Sequence, residues 1–173
     1  MSPRSRGTSL LNQIRTGIGW DSHRLVRGRP LILGGVSVPS DLGLEGHSDA
    51  DVLSHALTDA ILGAAALGDI GMHFPDSDPR WKGCGSLIFL KYAQRLAAAK
   101  GYRLVNVDST VILERPKLKE YREAIRRSLA EALEIEMDCV SVKFKTAEQV
   151  GPVGEGRTAE SQAVVTLAAD ERG

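Results

Sequence analysis

Asp21 and His23 stand two apart in the run Asp21-Ser22-His23. In extended backbone, residues two apart project to the same face, so a carboxylate and an imidazole converge there. Such a pair is common among Zn²⁺ ligands, but two ligands are not a site. A second set lies in a helical stretch, where Asp51, His55 and Asp59 recur at i, i+4 and i+8 and so form one stripe. A water-facing stripe would account for them. Against that, the rest of the segment is rich in Ala and Leu, and an imidazole flanked by carboxylates is how a metal-ligating histidine is oriented. His55 joined to Asp21 and His23 makes two imidazoles and one carboxylate, which leaves a fourth position on Zn²⁺ open, the catalytic pattern.

Small and ionisable residues cluster around this set. Gly46-His47-Ser48-Asp49 immediately precedes the helical stretch, whose free N–H groups favour an anion. Gly68-Asp69-Ile70-Gly71 and Phe74-Pro75-Asp76-Ser77-Asp78 follow it. Asp69 either meets sugar hydroxyls or caps a helix. Further on, Lys143-Phe144-Lys145-Thr146-Ala147-Glu148 supplies amines, a hydroxyl and a carboxylate, which suit a substrate with several phosphates and a bridging Mg²⁺ or Mn²⁺. Taken alone, that stretch is an ordinary solvated strand face.

Strands and helices must carry these groups. A first strand ends near Gly17–Trp20, and Leu31–Leu33 and Val36–Val38, joined by Gly34-Gly35, read as a hairpin. Pro39 and Gly43 mark a loop. The next helix is capped by Ser48 or Asp49, buries Leu53, Leu57, Ile61 and Ala64, and stops at Gly68. After a loop over 71–85, Leu87–Lys100 forms a helix closed by Gly101. Val105, Val107, Val111 and Leu113 alternate as a strand, and Ile125, Leu129 and Leu133 stripe a helix over about 120–133, which Pro116 must precede. Val140, Val142 and Phe144 alternate as another strand, and a glycine-rich loop over 151–156 leads into a last strand around 163–168. The elements do not march β-α-β-α, so the expectation is an α+β class: one two-layer sandwich, a mixed sheet packed on about three helices.

Composition narrows the function. The 173 residues are 42% hydrophobic and 25% charged, globular usage sufficient for one core. Twenty-two Lys+Arg balance 22 Asp+Glu, so no basic field exists to hold nucleic acid. No apolar run is long enough to span a membrane, and the basic start lacks a signal-peptide core. Cys84 and Cys139 form no paired framework, which points to a reducing, cytoplasmic setting. Residues 1–12 read as a loose extension and 13–173 as the domain.

Together these segments resemble the 2-C-methyl-D-erythritol 2,4-cyclodiphosphate synthases, cyclases of the non-mevalonate isoprenoid pathway. The resemblance runs from about residue 15 to 168. It is carried by the block from Gly43 through Asp78, by Asp21-Ser22-His23, by Glu114-Arg115-Pro116-Lys117 and by Lys145-Thr146-Ala147-Glu148. It implies a lyase that closes 4-diphosphocytidyl-2-C-methyl-D-erythritol 2-phosphate into a cyclic diphosphate and releases CMP. The substrate's own 2-phosphate attacks, so catalysis rests on folding the substrate and neutralising charge. It further implies Zn²⁺ on Asp21, His23 and His55, and a second divalent ion, Mg²⁺ or Mn²⁺, on Glu148. His47 and Thr146 match the residues that stabilise the transition state, Asp69 the ribose carboxylate, and Leu113, Lys117, Leu118 and Lys119 the loop that reads cytosine. Ser48, Gly71, Phe74, Asp76 and Asp78 match contacts at the erythritol end, and Lys145 suits the phosphates. After Glu148 this chain departs from the commonest bacterial pattern: the family arginine falls on Glu155 without a gap, or on Arg157 by chemistry, which is favoured because a guanidinium binds phosphate. The family also implies a homotrimer around a three-fold axis with interfacial active sites. The short extension implies a monofunctional chain. Competing readings are a metal-dependent phosphohydrolase and a non-catalytic trimeric binder of prenyl diphosphates.

Overall fold

The computed structural model describes residues 14–170, so the expected extension over 1–12 lies outside the described residues. Its elements run β1 (Ile14–Arg27), β2 (Leu31–Leu33), β3 (Val36–Val38), β4 (Leu42–Leu44), α1 (Val52–Ala64), α2 (Ile70–His73), α3 (Leu87–Ala99), β5 (Tyr102–Ile112), α4 (Arg122–Leu133), β6 (Val140–Lys145), α5 (Gly151–Gly154) and β7 (Thr158–Ala169). Among the described residues, five strands form one sheet in the order β4-β1-β7-β5-β6, and β2-β3 form a separate hairpin. Only β5 and β6 pair in parallel within that sheet, so it is mixed as expected.

The three long helices lie against one face of the sheet, with α1 over β1 and β7, α3 against α1, and α4 against α3 and β6. The sheet's inward residues are small or apolar: Gly17 and Gly19 on β1, and Ala159, Ser161, Ala163, Val165 and Leu167 on β7. Leu53, Leu57 and Ile61 of α1 are fully buried against them, each stabilising by about 1.5–3 kcal/mol. The glycines set how near α1 can come. A Cβ at Gly17 would run into the Ala60 carbonyl oxygen, and one at Gly19 into that of Ala56. Strand and helix therefore touch backbone to backbone, and α1 side chains reach β1 side chains.

Several boundaries differ from expectation. β1 does not end near Trp20 but continues to Arg27, because β7 pairs with it as far as Arg24 and β4 takes over at Leu25. Asp21 and His23 thus sit inside a strand. The segment read as a loop around Gly43 is β4, and Gly43 is required there since a Cβ would collide with the carbonyls of Arg29 and Pro30. β5 begins at Tyr102, with a register shift between Leu104 and Asn106 that hides its first alternation. β7 begins at Thr158, where small Ala159 and Ser161 give no apolar signal. One-turn helices, α2 and α5, interrupt the loops expected over 71–85 and 151–156. Among the described residues no helix is long and apolar enough to cross a membrane.

Candidate active site

The helix cap is where the sequence expectation first fails. Asp51, not Ser48 or Asp49, is the N-cap of α1. Its buried carboxylate accepts from Ser54 N (3.1 Å) and Ser54 Oγ (2.7 Å), and from the turn amides Gly34 N (2.9 Å) and Gly35 N (2.7 Å). Burial pushes this carboxyl up, and those four donors pull against it. Asp59, at the other end of the expected stripe, accepts from Ile70 N (2.7 Å) and ties α1 to α2. Neither carboxylate touches His55. The flanking-carboxylate expectation is corrected: Asp51 precedes the helix, so it turns back to the hairpin rather than along the helix face.

His55 itself meets β1 as expected. Its Nδ1 lies 2.9 Å from Asp21 Oδ2 and 3.1 Å from His23 Nε2, and His23 Nε2 lies 3.0 Å from the same carboxylate oxygen. Among the described residues these three form a group whose ligand atoms all lie within 4.8 Å of one another. Tetrahedral Zn²⁺ with ligands near 2.0–2.1 Å needs donor–donor edges of about 3.3 Å. The observed triangle is close to that, and two nitrogens and one oxygen are borderline-soft donors suited to zinc. The donor set therefore fits the ion.

Each ring is aimed by its far nitrogen. His23 Nδ1 is 2.8 Å from the Glu45 carbonyl, to which it donates, leaving Nε2 free for the triangle. Gly46 makes room for that ring, since a Cβ there would come within 3.1 Å of His23 Cε1. His55 Nε2 lies 2.8 Å from Ser86 Oγ and 3.2 Å from Ser48 Oγ. The electrostatics favour a cation at this point. Burial alone would raise the Asp21 carboxyl, yet the hydrogen bonds and charge of His23 and His55 hold it far below the usual carboxylate range. Burial likewise lowers the His23 imidazole, but the Asp21 hydrogen bond and charge outweigh it and raise it.

The triangle opens into a cleft of about 620 Å³ that His47, Ser48, Gly71, Phe74 and Asp76 also line, with Trp81 and Phe89 as an apolar wall. Phe74 packs on Phe89 with centroids 4.3 Å apart and edge-on to Trp81 at 5.1 Å. Trp81 and Phe89 were not foreseen; a lone aromatic in a loop or helix carries no sequence signal. Asp69 caps α2 through Met72 N (3.0 Å), and Asp78 caps the turn at Pro79 and pairs with Arg80 (2.6 Å). Cys84 follows this loop; burial, then the charge of Asp49, raises its thiol.

The remaining site residues gather elsewhere. Leu113, Lys117, Leu118, Lys119, Lys145, Thr146 and Glu148 line a second cleft of about 350 Å³ with Phe144 and Arg122. Leu113 N donates to Lys145 O (3.0 Å) and Ala147 N to Glu114 (3.2 Å), which clamps the two segments together. Thr146 Oγ1 donates to Glu148 Oε1 (2.5 Å). Glu148 and Gln149 both hold left-handed backbone, φ 51° and 62°, an uncommon conformation for side chains of this size. A single exposed carboxylate fits Mg²⁺ or Mn²⁺ that takes its other ligands from phosphates and water. Lys143 does not join this cleft; its ammonium pairs with Asp108 (2.6 Å). Arg157 lines neither cleft and pairs with Glu155 (2.6 Å).

The model of the YgbB family matches residues 14–168. The 2-C-methyl-D-erythritol 2,4-cyclodiphosphate synthase of Solibacter usitatus is 74% identical over 157 residues, 91% of this chain and 99% of that protein. The bifunctional IspDF of Campylobacter jejuni superposes with a TM-score of 0.88 at 40% identity, over 91% of this chain and 42% of its own. IspF of Plasmodium falciparum, solved as a CDP complex, superposes with a TM-score of 0.81 at 36% identity, over 92% of this chain and 99% of its own.

Proposed function

The chain belongs to the YgbB family, and from that premise we propose that it is a 2-C-methyl-D-erythritol 2,4-cyclodiphosphate synthase of isoprenoid biosynthesis. The observation that carries the reading is the 2.9–3.1 Å triangle of Asp21, His23 and His55 lining a cleft. The reaction joins an oxygen of the substrate's 2-phosphate to its β-phosphorus and breaks the bond from that phosphorus to the bridging oxygen. CMP leaves with the electron pair. No protein nucleophile is consumed.

Asp21, His23 and His55 would hold Zn²⁺ and Glu148 would hold Mg²⁺ or Mn²⁺, which when bound would supply positive charge for the diphosphate. The chain's own groups do the rest. His47 beside the metal triangle and Thr146 in the second cleft, once its hydroxyl turns from Glu148, donate hydrogen bonds to the phosphoryl oxygens as charge builds on them. Lys145 adds charge. Leu113 and Lys117 to Lys119 hold the cytosine end, and Asp69 meets the ribose. Gly71, Phe74 and Asp76 enclose the erythritol carbons with Ser48 and Asp78.

The two clefts share no lining residue, which supports a substrate divided between two chains. The cytidine cleft of one subunit faces the metal cleft of its neighbour in a homotrimer, each active site lying at an interface. The outer face of the sheet supports this assembly. Ile14, Ile18, Trp20 and Val164 are 55%, 80%, 56% and 45% exposed on β1 and β7, an apolar patch that a lone chain leaves in water. Arg157 and Glu155 occupy the family arginine region as an ion pair, and Arg157 is the phosphate-binding member once substrate competes for it. The unpaired Cys84 and Cys139 suit the cytoplasm.

The test is to incubate the purified protein with the cytidyl substrate, with and without a chelator, and resolve the products by phosphorus NMR. The expected result is a cyclic diphosphate plus CMP, abolished by the chelator. CMP with an open-chain product would instead identify a phosphohydrolase.

A further inference from the structure

Ser86 occupies the N-cap position of α3, where a serine ordinarily spends its hydroxyl on the helix amides. Here it makes no cap bond. The side chain is fully buried, and its Oγ lies 2.8 Å from His55 Nε2 while donating to Asp49 Oδ1. The Ser86 N–H donates to the other Asp49 oxygen (3.1 Å), and Asp51 N donates to Oδ1 (3.2 Å). Ser48 Oγ is a longer partner, 3.2 Å from both His55 Nε2 and Ser86 Oγ, and accepts from Ala50 N (3.1 Å).

The proton order along this chain follows from what each group can do. A carboxylate only accepts, so the Ser86 proton goes to Asp49. Ser86 Oγ then turns a lone pair to His55, and His55 Nε2 must bear the ring hydrogen. Nδ1 then faces Asp21 and His23, where a bound metal ion takes its lone pair in place of any proton shared with the carboxylate. The other histidine is set by a backbone carbonyl, Glu45, which substitution does not remove. For His55 the same job falls to two side chains on a loop and on the start of α3. Ala50, between Asp49 and the cap Asp51, is left-handed (φ 58°), and that twist lets adjacent carboxylates face different partners.

We propose that Ser86 and Asp49 are positioning residues that hold His55 in its Nε2–H tautomer and so present Nδ1 as a metal ligand. This rests on the zinc reading above and extends the metal centre to α3, an element that supplies no ligand. It also explains why a buried serine at a helix start forgoes its cap.

The test uses the full chain without substrate. Zn²⁺ affinity is measured by competition with a chromophoric chelator, and exchange of the His55 Nε2 proton with water is read by ¹H–¹⁵N NMR in the Zn²⁺-loaded protein. Ser86→Ala is expected to bind Zn²⁺ about 10- to 100-fold more weakly, with the Nε2 proton exchanging fast where the wild type protects it. Asp49→Asn, which turns one acceptor into a donor at the far end, is expected to do the same, and it decides alone if Ser86→Ala does not fold. Wild-type affinity in the variant, or weakened binding with the Nε2 proton still protected, overturns the proposal. A wild type that binds no Zn²⁺ overturns the metal reading beneath it, a distinguishable failure.

Discussion

His55 uses both nitrogens of its ring, one toward Asp21 and His23 and the other toward the Ser86 hydroxyl. His55→Ala is therefore expected to lose bound zinc and turnover together while circular dichroism stays unchanged, because the ring packs at the cleft rather than in the core. Metal analysis showing zinc retained, or full turnover without it, would remove the assignment. Glu148→Gln should behave oppositely, keeping zinc but needing several-fold more Mg²⁺ or Mn²⁺ for half-maximal rate, since one carboxylate ligand becomes neutral. An unchanged divalent-ion dependence would count against Glu148. The three residues of the candidate metal group, Asp21, His23 and His55, were legible because strand and helix periodicities are local rules. Asp51 and Asp59 were misread by the same rules, since periodicity names a face and not the neighbour that face meets.

Among elements, α1 and its cap decide whether the donors meet. Asp51 joins the start of α1 to the Gly34-Gly35 turn, so one side chain locks the helix against the β2-β3 hairpin. Asp51→Ala strands buried amides at both places and is expected to cost about 2–4 kcal/mol, measured by urea unfolding. A loss below about 1 kcal/mol would show that water replaces the carboxylate. The long helices and the hairpin were readable from apolar stripes and from paired glycines. The second half of β1, β4 and the first half of β7 were not. Asp21 and His23 in β1, the three-residue length of β4, and small Ala159 and Ser161 in β7 leave no apolar alternation to read, and pairing with neighbouring strands keeps these segments extended.

At the scale of the molecule, the two clefts share no lining residue, and the open sheet face carries apolar residues. Ile18 is 80% exposed, so Ile18→Asp disturbs no packing within the chain. It is expected to yield a folded, zinc-binding monomer by light scattering, with cyclase activity lost because neither cleft alone holds the substrate. A persistent trimer, or a fully active monomer, would overturn the interfacial site.

By itself the order of residues determined the chemical inventory: which side chains can ligate a metal, which stretch carries acid, hydroxyl and amine, and which class of fold holds them. Those follow from residue type and short-range geometry. Only the tertiary structure decided what lies beside what. It placed Ser86 behind His55 from 31 residues away, turned Asp51 to a glycine hairpin, and put Glu148 in a different cleft from Asp21, His23 and His55. Contacts between distant segments depend on how closely β1 and α1 can approach and on which sheet face is covered, and packing settles both only when the entire chain is folded.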